Sequence, residues 1–257
     1  MDKTISLIMP FRERIELFQQ MLDSLKMTTV HPKNVELIIG MDDDDKCLDG
    51  DKLKQFLDYN EFLDITIFTT PRHEHMVNAY WNPASMLARG RWIMDVNDDS
   101  VFKTEGWDVI INEAMSKRAN EVGDDVLYGK VDDCYTEGGR NSKKDYWSCW
   151  SVLGKEAVNA LGFFYDPCIH VGGADHVQGL TFLALNKMMR EDRIVGIYDV
   201  MIDHNSSYTG QREVDYLMLR QREINKNHPF ETTREHERDY AMVLRDYIEG
   251  KRYGKSA

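Results

Sequence analysis

Cysteine and proline are scarce in this sequence of 257 residues, which has six prolines and four cysteines without a CxxC pair. Scattered cysteines favour a reducing compartment over a disulfide framework. The chain also lacks any run close to the roughly 20 apolar residues that a membrane-spanning helix needs. Its first apolar run stops at Pro10, short of the apolar core of a signal peptide. We therefore expect a cytoplasmic protein without a transmembrane segment, and peripheral contact with a membrane stays open.

Positive charge is also in short supply, because 32 Lys and Arg residues face 44 Asp and Glu residues. The formal net charge is -12, and the basic residues are not massed in one block. Binding to extended nucleic acid requires a basic face that neutralises phosphates, so we expect no extended DNA or RNA as a partner. Small phosphorylated ligands need only a few local groups and remain possible partners.

What the sequence does contain is an alternation of apolar, strand-like runs with segments of helical periodicity. The hydrophobic fraction of 42% is enough for a real core in one large domain or two small ones. The strands predicted in the first half are 5–10, 35–41, 64–70, 91–96 and 125–131. The helices predicted between them are 14–27, 51–58, 75–89 and 105–119. This alternation predicts an α/β fold with a mainly parallel central sheet flanked by helices.

Three of the predicted strands end in charged residues. PFRER (10–14) follows the first strand, DDDD (42–45) the second, and Asn-Asp-Asp (97–99) the strand at 91–96. Ligands of parallel sheets bind outside the carboxyl ends of the strands, which meet at one edge. The sequence therefore predicts a ligand site with both cationic and anionic groups at this edge.

The adjacent carboxylates of Asp98 and Asp99 are the most informative part of this edge. Such a pair is often only a solvated turn, because Asp favours turns. Here it directly follows a buried strand, which holds the two carboxylates side by side, and they repel each other unless a cation lies between them. A hard divalent cation with oxygen ligands and phosphates satisfies such a site. The pair therefore predicts a metal site.

Three other motifs fail on their spacing. In the run MDDDDKCLDGD, Cys47 and Phe56 occupy positions where a calcium-binding EF-hand needs Asp or Asn and then Glu. The terminal YGKSA is no phosphate loop, since Glu249 stands at the place of its first Gly. The residues Cys168, His170 and His176 match no common zinc spacing. We therefore expect a mostly solvated acidic turn at the DDDD run and no zinc site.

Taken in order, these motifs resemble the inverting glycosyltransferases of the GT-A fold. The order of elements, with ARGRWIMDVNDD, SVLGKEAVNALGFF and GGADHVQGL, resembles glycosyltransferase family 2. Three shorter motifs resemble the Pro-Phe-Arg-Asn-Arg, Trp-Gly-Gly-Glu-Asp and Met-Ile-Arg-His motifs of the β-1,4-galactosyltransferase group: PFRER (10–14), VGGAD (171–175) and MIDH (201–204). The resemblance covers residues 4–208. It implies a GT-A domain at 1–208, with a nucleotide-binding half at about 1–100 and an acceptor-binding half at about 101–208, before a helical C-terminal extension at 209–257.

The resemblance implies a role for each matching residue. Nucleotide-sugar binding would involve Pro10, Phe11, Arg12, Arg14, Asp42 or its neighbour Asp43, and Asp98. Asp99 would ligate Mn²⁺ or Mg²⁺ together with Met201 and His204. Asp175 would be the catalytic base, where the alternative is a helix cap.

Further expectations come from charge and composition. Arg72 is expected to help neutralise the diphosphate of the donor. Trp147 and Trp150 are expected to offer an apolar platform to a sugar ring of the acceptor, unless they pack in the core. The polar segment 205–212 is expected to close over bound donor as a lid.

Together these features predict a metal-dependent inverting glycosyltransferase. It would move a sugar from a nucleotide-diphosphate sugar, with a UDP-sugar favoured, to a hydroxyl of a glycan or glycoconjugate. Ala174 replaces the Glu of the galactosyltransferase motif, and Asn-Asp-Asp replaces Asp-Val-Asp, so the identities of acceptor and sugar do not transfer. One alternative is a sugar-phosphate nucleotidyltransferase, although no Gly-rich loop follows the first strand. The other is a non-catalytic carbohydrate-binding protein on the same fold.

Overall fold

The structure is a computed structural model that describes residues 3–48, 51–134, 143–169, 173–204 and 233–253. Its strands are β1 Ile5–Phe11, β2 Val35–Asp42, β3 Asp64–Thr70, β4 Trp92–Asp95, β5 Ser100–Phe102, β6 Tyr128–Asp132, β7 Ser151–Gly154 and β8 Ile194–His204. Its α-helices are α1 Ile15–Thr28, α2 Asp51–Tyr59, α3 Asn82–Leu87, α4 Trp107–Val122, α5 Lys155–Leu161, α6 Ala174–Met189 and α7 Thr233–Tyr253. A π-helical turn, Val77–Trp81, runs directly into α3.

The strands form one eight-stranded sheet in the order β3-β2-β1-β4-β7-β6-β8-β5. The first four strands along the sheet are all parallel, with Ile5 of β1 paired to Val35 of β2 on one side and to Trp92 of β4 on the other. The second half is mixed, because β7 is antiparallel to both neighbours, β8 is parallel to β6, and β5 is antiparallel to β8. The predicted parallel sheet is therefore confirmed in the first half and gives way to a mixed sheet in the second.

Two apolar cores lie on the two faces of the sheet, because successive residues of a strand point to opposite sides. Leu7 and its alternating neighbours of β1 face α1 and α4, where Phe18 and Ile111 are buried. Ile8 faces the other way, into a core completed by residues of α3, α5, α6 and α7, among them Phe182. This arrangement leaves the carboxyl ends of β1, β2 and β4 at one edge, where the predicted site residues lie.

The described part of the C-terminal extension is a single helix that packs on the body of the fold. Ala241, Leu244 and Ile248 lie on one stripe of α7 at helical spacing, and all three are fully buried in the core that α5 and α6 share. Lys251 forms an ion pair with Glu156 of α5 near the end of the helix. Among the described residues, no helix combines the length and apolarity that crossing a membrane requires.

Candidate active site

The Asp98–Asp99 pair lies in a tight turn between β4 and β5. Its geometry is fixed by Ser100, whose hydroxyl accepts the N–H of Asn97 at 2.9 Å and whose own N–H donates to the carbonyl of Asn97 at 3.0 Å. Both carboxylates are buried, with exposed fractions of 2% and 4%. Arg14, just after β1, donates Nε to Asp98 Oδ2 at 2.8 Å and a second N–H to Asp98 Oδ1. The turn therefore presents two carboxylates against one guanidinium, as the charge pattern predicted.

His204 faces this pair from the end of β8. Its Nε2 lies 3.4 Å from Asp99 Oδ1, and its ring packs on the indole of Trp150 with centroids 5.3 Å apart. Asp99 Oδ1 is buried, and among the described residues it has no hydrogen-bond partner. Burial of this kind costs free energy unless a donor or a cation compensates it.

The donor set fits a divalent cation. Asp99 Oδ1 and His204 Nε2 lie side by side, and both atoms are of the kinds that ligate divalent metals. Burial raises the pKa of Asp98 to about 7, the charge of Asp99 acts in the same direction, and Arg14 opposes both. A cation at Asp99 relieves this crowding of negative charge.

Met201 is not brought to the cluster, although the sequence resemblance made it a metal ligand. Three residues before His204 on the same strand, it lies on the opposite face of β8. Its side chain is 44% exposed, and its backbone bonds to Lys103 and Thr104 at the outer edge. Of the three residues that the resemblance made metal ligands, the structure therefore brings Asp99 and His204 together and leaves Met201 apart. Magnesium and manganese sites of this kind take substrate phosphates and water for the remaining positions.

A second acidic cluster lies at the end of β2. Asp42 is buried and accepts hydrogen bonds from Arg12 and from the hydroxyl of Tyr80. Arg12 also donates to Asp44 at 2.7 Å, and the charge of Arg72 lowers the pKa of that carboxyl after the larger effect of Arg12. The residues Arg12, Asp42 and Arg72 are thus brought together. Asp43, the alternative to Asp42, is exposed.

Pro10 and Phe11 differ from the arginines that follow them. Pro10 is half-buried at the end of β1. The ring of Phe11 is 4% exposed, packs on Phe18 at 4.8 Å, and lines an apolar cavity of 380 Å³ on the α1 side with Phe56 and Ile67. Of the PFRER side chains, those of Arg12 and Arg14, which follow the end of β1, bind the carboxylates of Asp42, Asp44 and Asp98.

Asp175 stands in the first turn of α6. The helix starts after Gly173, whose φ of 86° is in the left-handed region that glycine tolerates. The Asp175 side chain accepts the N–H of His176 at 3.0 Å. Burial is the main cause of the raised pKa values of Asp95, Tyr128 and Tyr165, and the negative charge of nearby Asp175 acts in the same direction.

Asp95, the last residue of β4, is a site residue that the sequence patterns did not single out. Its carboxyl group accepts the N–H of Ser151 at 2.7 Å and the hydroxyl of Tyr165. Burial raises its pKa to about 8, with a smaller contribution from Asp175. At neutral pH Asp95 is therefore mostly protonated and adds little negative charge beside Asp175. The sequence feature that could have indicated Asp95 is its position as the charged residue within the apolar run WIMDV.

The two tryptophans expected at the acceptor have different environments. Trp150 has no exposed surface, and its Nε1 donates to the carbonyl of Ile202 at 3.0 Å beneath His204. This burial assigns Trp150 to the core and removes it from the acceptor-binding residues. Trp147 is half-buried and meets the ring of His176 edge-on at 5.5 Å, next to Asp175. The proposed lid at 205–212 lies outside the described residues.

Comparison with known proteins gives matches among solved structures, whereas no family model and no characterised protein sequence matches the chain. S. aureus TarS 1-349 in complex with UDP matches with a TM-score of 0.56 and 13% identity, over 78% of this chain and 60% of that chain. The mannosyltransferase PcManGT from Pyrobaculum calidifontis, in complex with GDP-Man and Mn²⁺, matches with a TM-score of 0.59 and 12% identity, over 100% and 77%. GalNAc-T7 with UDP, GalNAc and Mn²⁺ matches with a TM-score of 0.61 and 14% identity, over 79% and 44%. The chain has the GT-A glycosyltransferase fold.

The GT-A fold predicted from the sequence is thus confirmed. The narrower resemblances, to glycosyltransferase family 2 and to the β-1,4-galactosyltransferase group, stay predictions, because the likeness at 12–14% identity concerns the fold alone. The chain spans 60% of the length of the TarS chain and 44% of the GalNAc-T7 chain. In this GT-A fold, the clusters around Asp42 and Asp99 both lie at the carboxyl edge of the parallel strands, where an open α/β sheet binds its ligands.

Proposed function

We propose that this chain is a metal-dependent glycosyltransferase that moves a sugar from a nucleoside-diphosphate sugar to a hydroxyl group of a glycan or glycoconjugate. The observation that carries the proposal is the buried Oδ1 of Asp99, which accepts no hydrogen bond within the described part of the chain and lies 3.4 Å from His204 Nε2, next to the Arg14–Asp98 pair. A solvated acidic turn would not bury a carboxylate oxygen without a partner. The likeness to solved glycosyltransferases with nucleotides and Mn²⁺ supports the same function.

Different residues at the carboxyl edge bind different parts of the donor. A divalent cation held by Asp99 and His204 would supply Lewis-acid neutralisation of the charge that develops on the departing diphosphate. Arg12 and Arg72 add positive charge beside Asp42, where the polar part of a nucleoside is held. A UDP-sugar is the favoured donor on the galactosyltransferase-like motifs, and the nucleotides of the matched structures include both UDP and GDP.

Asp175 is proposed as the general base. It takes the proton of the acceptor hydroxyl while the oxygen forms its bond to the anomeric carbon and the bond from that carbon to the diphosphate breaks. A single displacement of this kind inverts the anomeric configuration. Asp175 must be ionised to accept the proton, and a protonated Asp95 nearby favours this because it removes a like charge. Trp147 and His176, whose rings meet edge-on, lie beside the base on the side proposed for the acceptor.

Binding tests this proposal first. Melting temperatures would be measured with UDP, GDP, CDP, dTDP and ADP, each with Mn²⁺, with Mg²⁺ or with a chelator. A ligand at 100 times its Kd stabilises a protein by about 2.7 kcal/mol, which such melts detect. We expect one nucleotide to stabilise the chain only with metal, and Asp99→Asn to lose the metal-dependent part. Asp58→Asn on exposed α2 is the matched control. No metal-dependent shift with any nucleotide would favour the non-catalytic carbohydrate-binding alternative.

Turnover tests the base. With the donor identified by the melts, Asp175→Asn should retain donor binding and lose turnover by at least about 100-fold, the usual contribution of a positioned base. Unchanged turnover in Asp175→Asn would remove Asp175 from the mechanism. Release of pyrophosphate from a nucleoside triphosphate and a sugar phosphate would instead identify a nucleotidyltransferase.

A further inference from the structure

A second group of possible metal ligands lies outside the proposed donor site. Asp166 and Cys168 belong to the loop after α5, and His236 lies in the first turns of α7. One ligand atom from each residue can be chosen so that all three lie within 4.8 Å of one another. Asp166 is 2% exposed, His236 is half-buried and Cys168 is exposed, so the group is anchored in the protein and open to solvent on one side.

The carboxylate of Asp166 is held in place by several contacts. Its Oδ1 accepts the hydroxyl of Tyr240 at 3.0 Å and the N–H of Cys168 at 2.8 Å. Its Oδ2 lies 3.2 Å from Nδ1 of His236. Partners of this kind orient the ligands of metal sites in proteins and tune their affinity.

The loop itself is fixed from the other side by the helix that contains Asn82. The side chain of Asn82 accepts the N–H groups of Phe164 and Tyr165 at 3.0 and 2.9 Å and donates to the carbonyl of Tyr165 at 2.9 Å. Asn78 donates to the carbonyl of Pro167 at 3.0 Å. Two of the three ligands therefore stand on a loop whose backbone is already ordered, which lowers the entropy cost of binding a metal.

The chemistry of the three side chains selects the metal. A thiolate, an imidazole and a carboxylate are the ligands of zinc, whereas magnesium and manganese prefer oxygen ligands. We propose that Asp166, Cys168 and His236 bind a zinc ion that fastens α7 to the loop leading towards α6. Three protein ligands leave the fourth tetrahedral position for water on the open side, in contrast to the four protein ligands of most structural zinc sites. This site is independent of the proposed transferase function and uses none of its residues.

The sequence predicted no zinc site because it offered a different set of residues. Along the sequence, the histidines near Cys168 are His170 and His176, and their spacing does not suit zinc. The structure places the ring of His176 against Tyr146 instead, with centroids 5.1 Å apart, and His170 lies outside the described residues. The sequence did not indicate His236 as a ligand, because it lies far from Cys168 along the chain. The packing of α7 on the fold brings the two residues together.

A test in the full chain uses cobalt as a spectroscopic substitute for zinc. Chelator-treated protein carrying Asp99→Asn would be titrated with Co²⁺, so that the proposed donor site does not contribute. We expect a thiolate-to-cobalt charge-transfer band that saturates at one metal per chain and disappears when zinc is added. Absence of this band would overturn the proposal without any variant of the cluster itself.

Substitutions then locate the thiolate. Cys168→Ser and His236→Gln should each weaken zinc binding by at least about 100-fold, more than the loss of a residue that only orients a ligand. Cys149→Ser is the matched control and should bind zinc as the parent does. Folding of the variants is expected to persist because Ala241, Leu244 and Ile248 dock α7 without the metal, and circular dichroism melts would check it. Zinc binding that survives Cys168→Ser in a folded variant would refute the assignment.

Discussion

The protonation state of Asp95 gives a prediction whose magnitude follows from the structure. Its carboxyl group is buried at the end of β4, and burial raises its pKa from 3.8 to about 8. Asn in the Asp95→Asn variant would imitate the protonated acid, because its Oδ1 can accept the N–H of Ser151 and its amide N–H can donate to the oxygen of Tyr165. We therefore expect the variant to fold and to differ from the parent mainly in its dependence on pH.

The sign follows from proton binding in the two states. Between about pH 4 and pH 8, the folded parent holds a proton on Asp95 that the unfolded chain has released. Stability therefore falls as the pH rises through this window, by about 1.4 kcal/mol per pH unit for one proton. From pH 5 to pH 7 the parent should lose about 3 kcal/mol relative to Asp95→Asn. The difference levels off above pH 8, where both states have released the proton.

Urea unfolding of both proteins at pH 5, 6 and 7, with fitted free energies of unfolding, measures this difference directly. All other titrating groups are common to the two proteins, so their contributions cancel in the comparison. A parent-minus-variant difference that does not change with pH would mean that Asp95 is ionised in the folded protein. In that case the hydrogen bonds from Tyr165 and Ser151 stabilise the ionised carboxylate more than burial destabilises it. The view that Asp95 is a neutral neighbour of Asp175 would then be wrong.

Two further predictions concern stability at other places in the fold. Arg193 is fully buried, and its guanidinium donates to both carboxylate oxygens of Asp124. Arg193→Met leaves the buried charge of Asp124 without its main partner, so it should lower the free energy of unfolding in urea by about 3–5 kcal/mol. A loss below about 1 kcal/mol would show that other groups compensate the charge of Asp124. At Gly154 an added Cβ would lie 1.7 Å from the carbonyl oxygen of Asp125. Gly154→Ala should therefore force a backbone shift and lower the free energy of unfolding by about 3 kcal/mol in the same assay. An unchanged urea midpoint would contradict the close approach of Gly154 to Asp125.

The first half of the fold was predictable because local pattern and burial agree there. The continuous apolar runs of β1 and β2 belong to strands buried on both faces, the pattern that parallel sheets produce. The short strand Ser100–Phe102 gave no such signal, since three residues carry no periodicity and its pairing with β8 depends on a distant part of the chain. The antiparallel insertion of β7 between β4 and β6 was not predicted either.

The site was predictable to the extent that strand ends determine position. The resemblance made Asp99 and His204 metal ligands, both stand where a predicted strand ends, and the structure places His204 Nε2 3.4 Å from Asp99 Oδ1. Strand geometry also accounts for the position of Met201. It lies three residues before His204 in a predicted strand, and side chains at an odd spacing in a strand point to opposite faces. Trp150 could not be judged from the sequence, since only the packing beneath His204 shows that its indole is fully buried.

The charges at the carboxyl edge suggest why a cation should be needed for donor binding. Arg12 is paired with Asp42 and Asp44, and Arg14 with Asp98, so both guanidiniums are largely neutralised before any ligand arrives. A diphosphate that approached this edge alone would meet buried carboxylates whose negative charge the arginines only offset. A divalent cation at Asp99 would make the net charge of this edge favourable for a diphosphate, because it adds two positive charges beside a carboxylate oxygen that accepts no hydrogen bond from the described residues. The arginines then hold the acidic residues in position, and metal and nucleotide should bind with positive coupling.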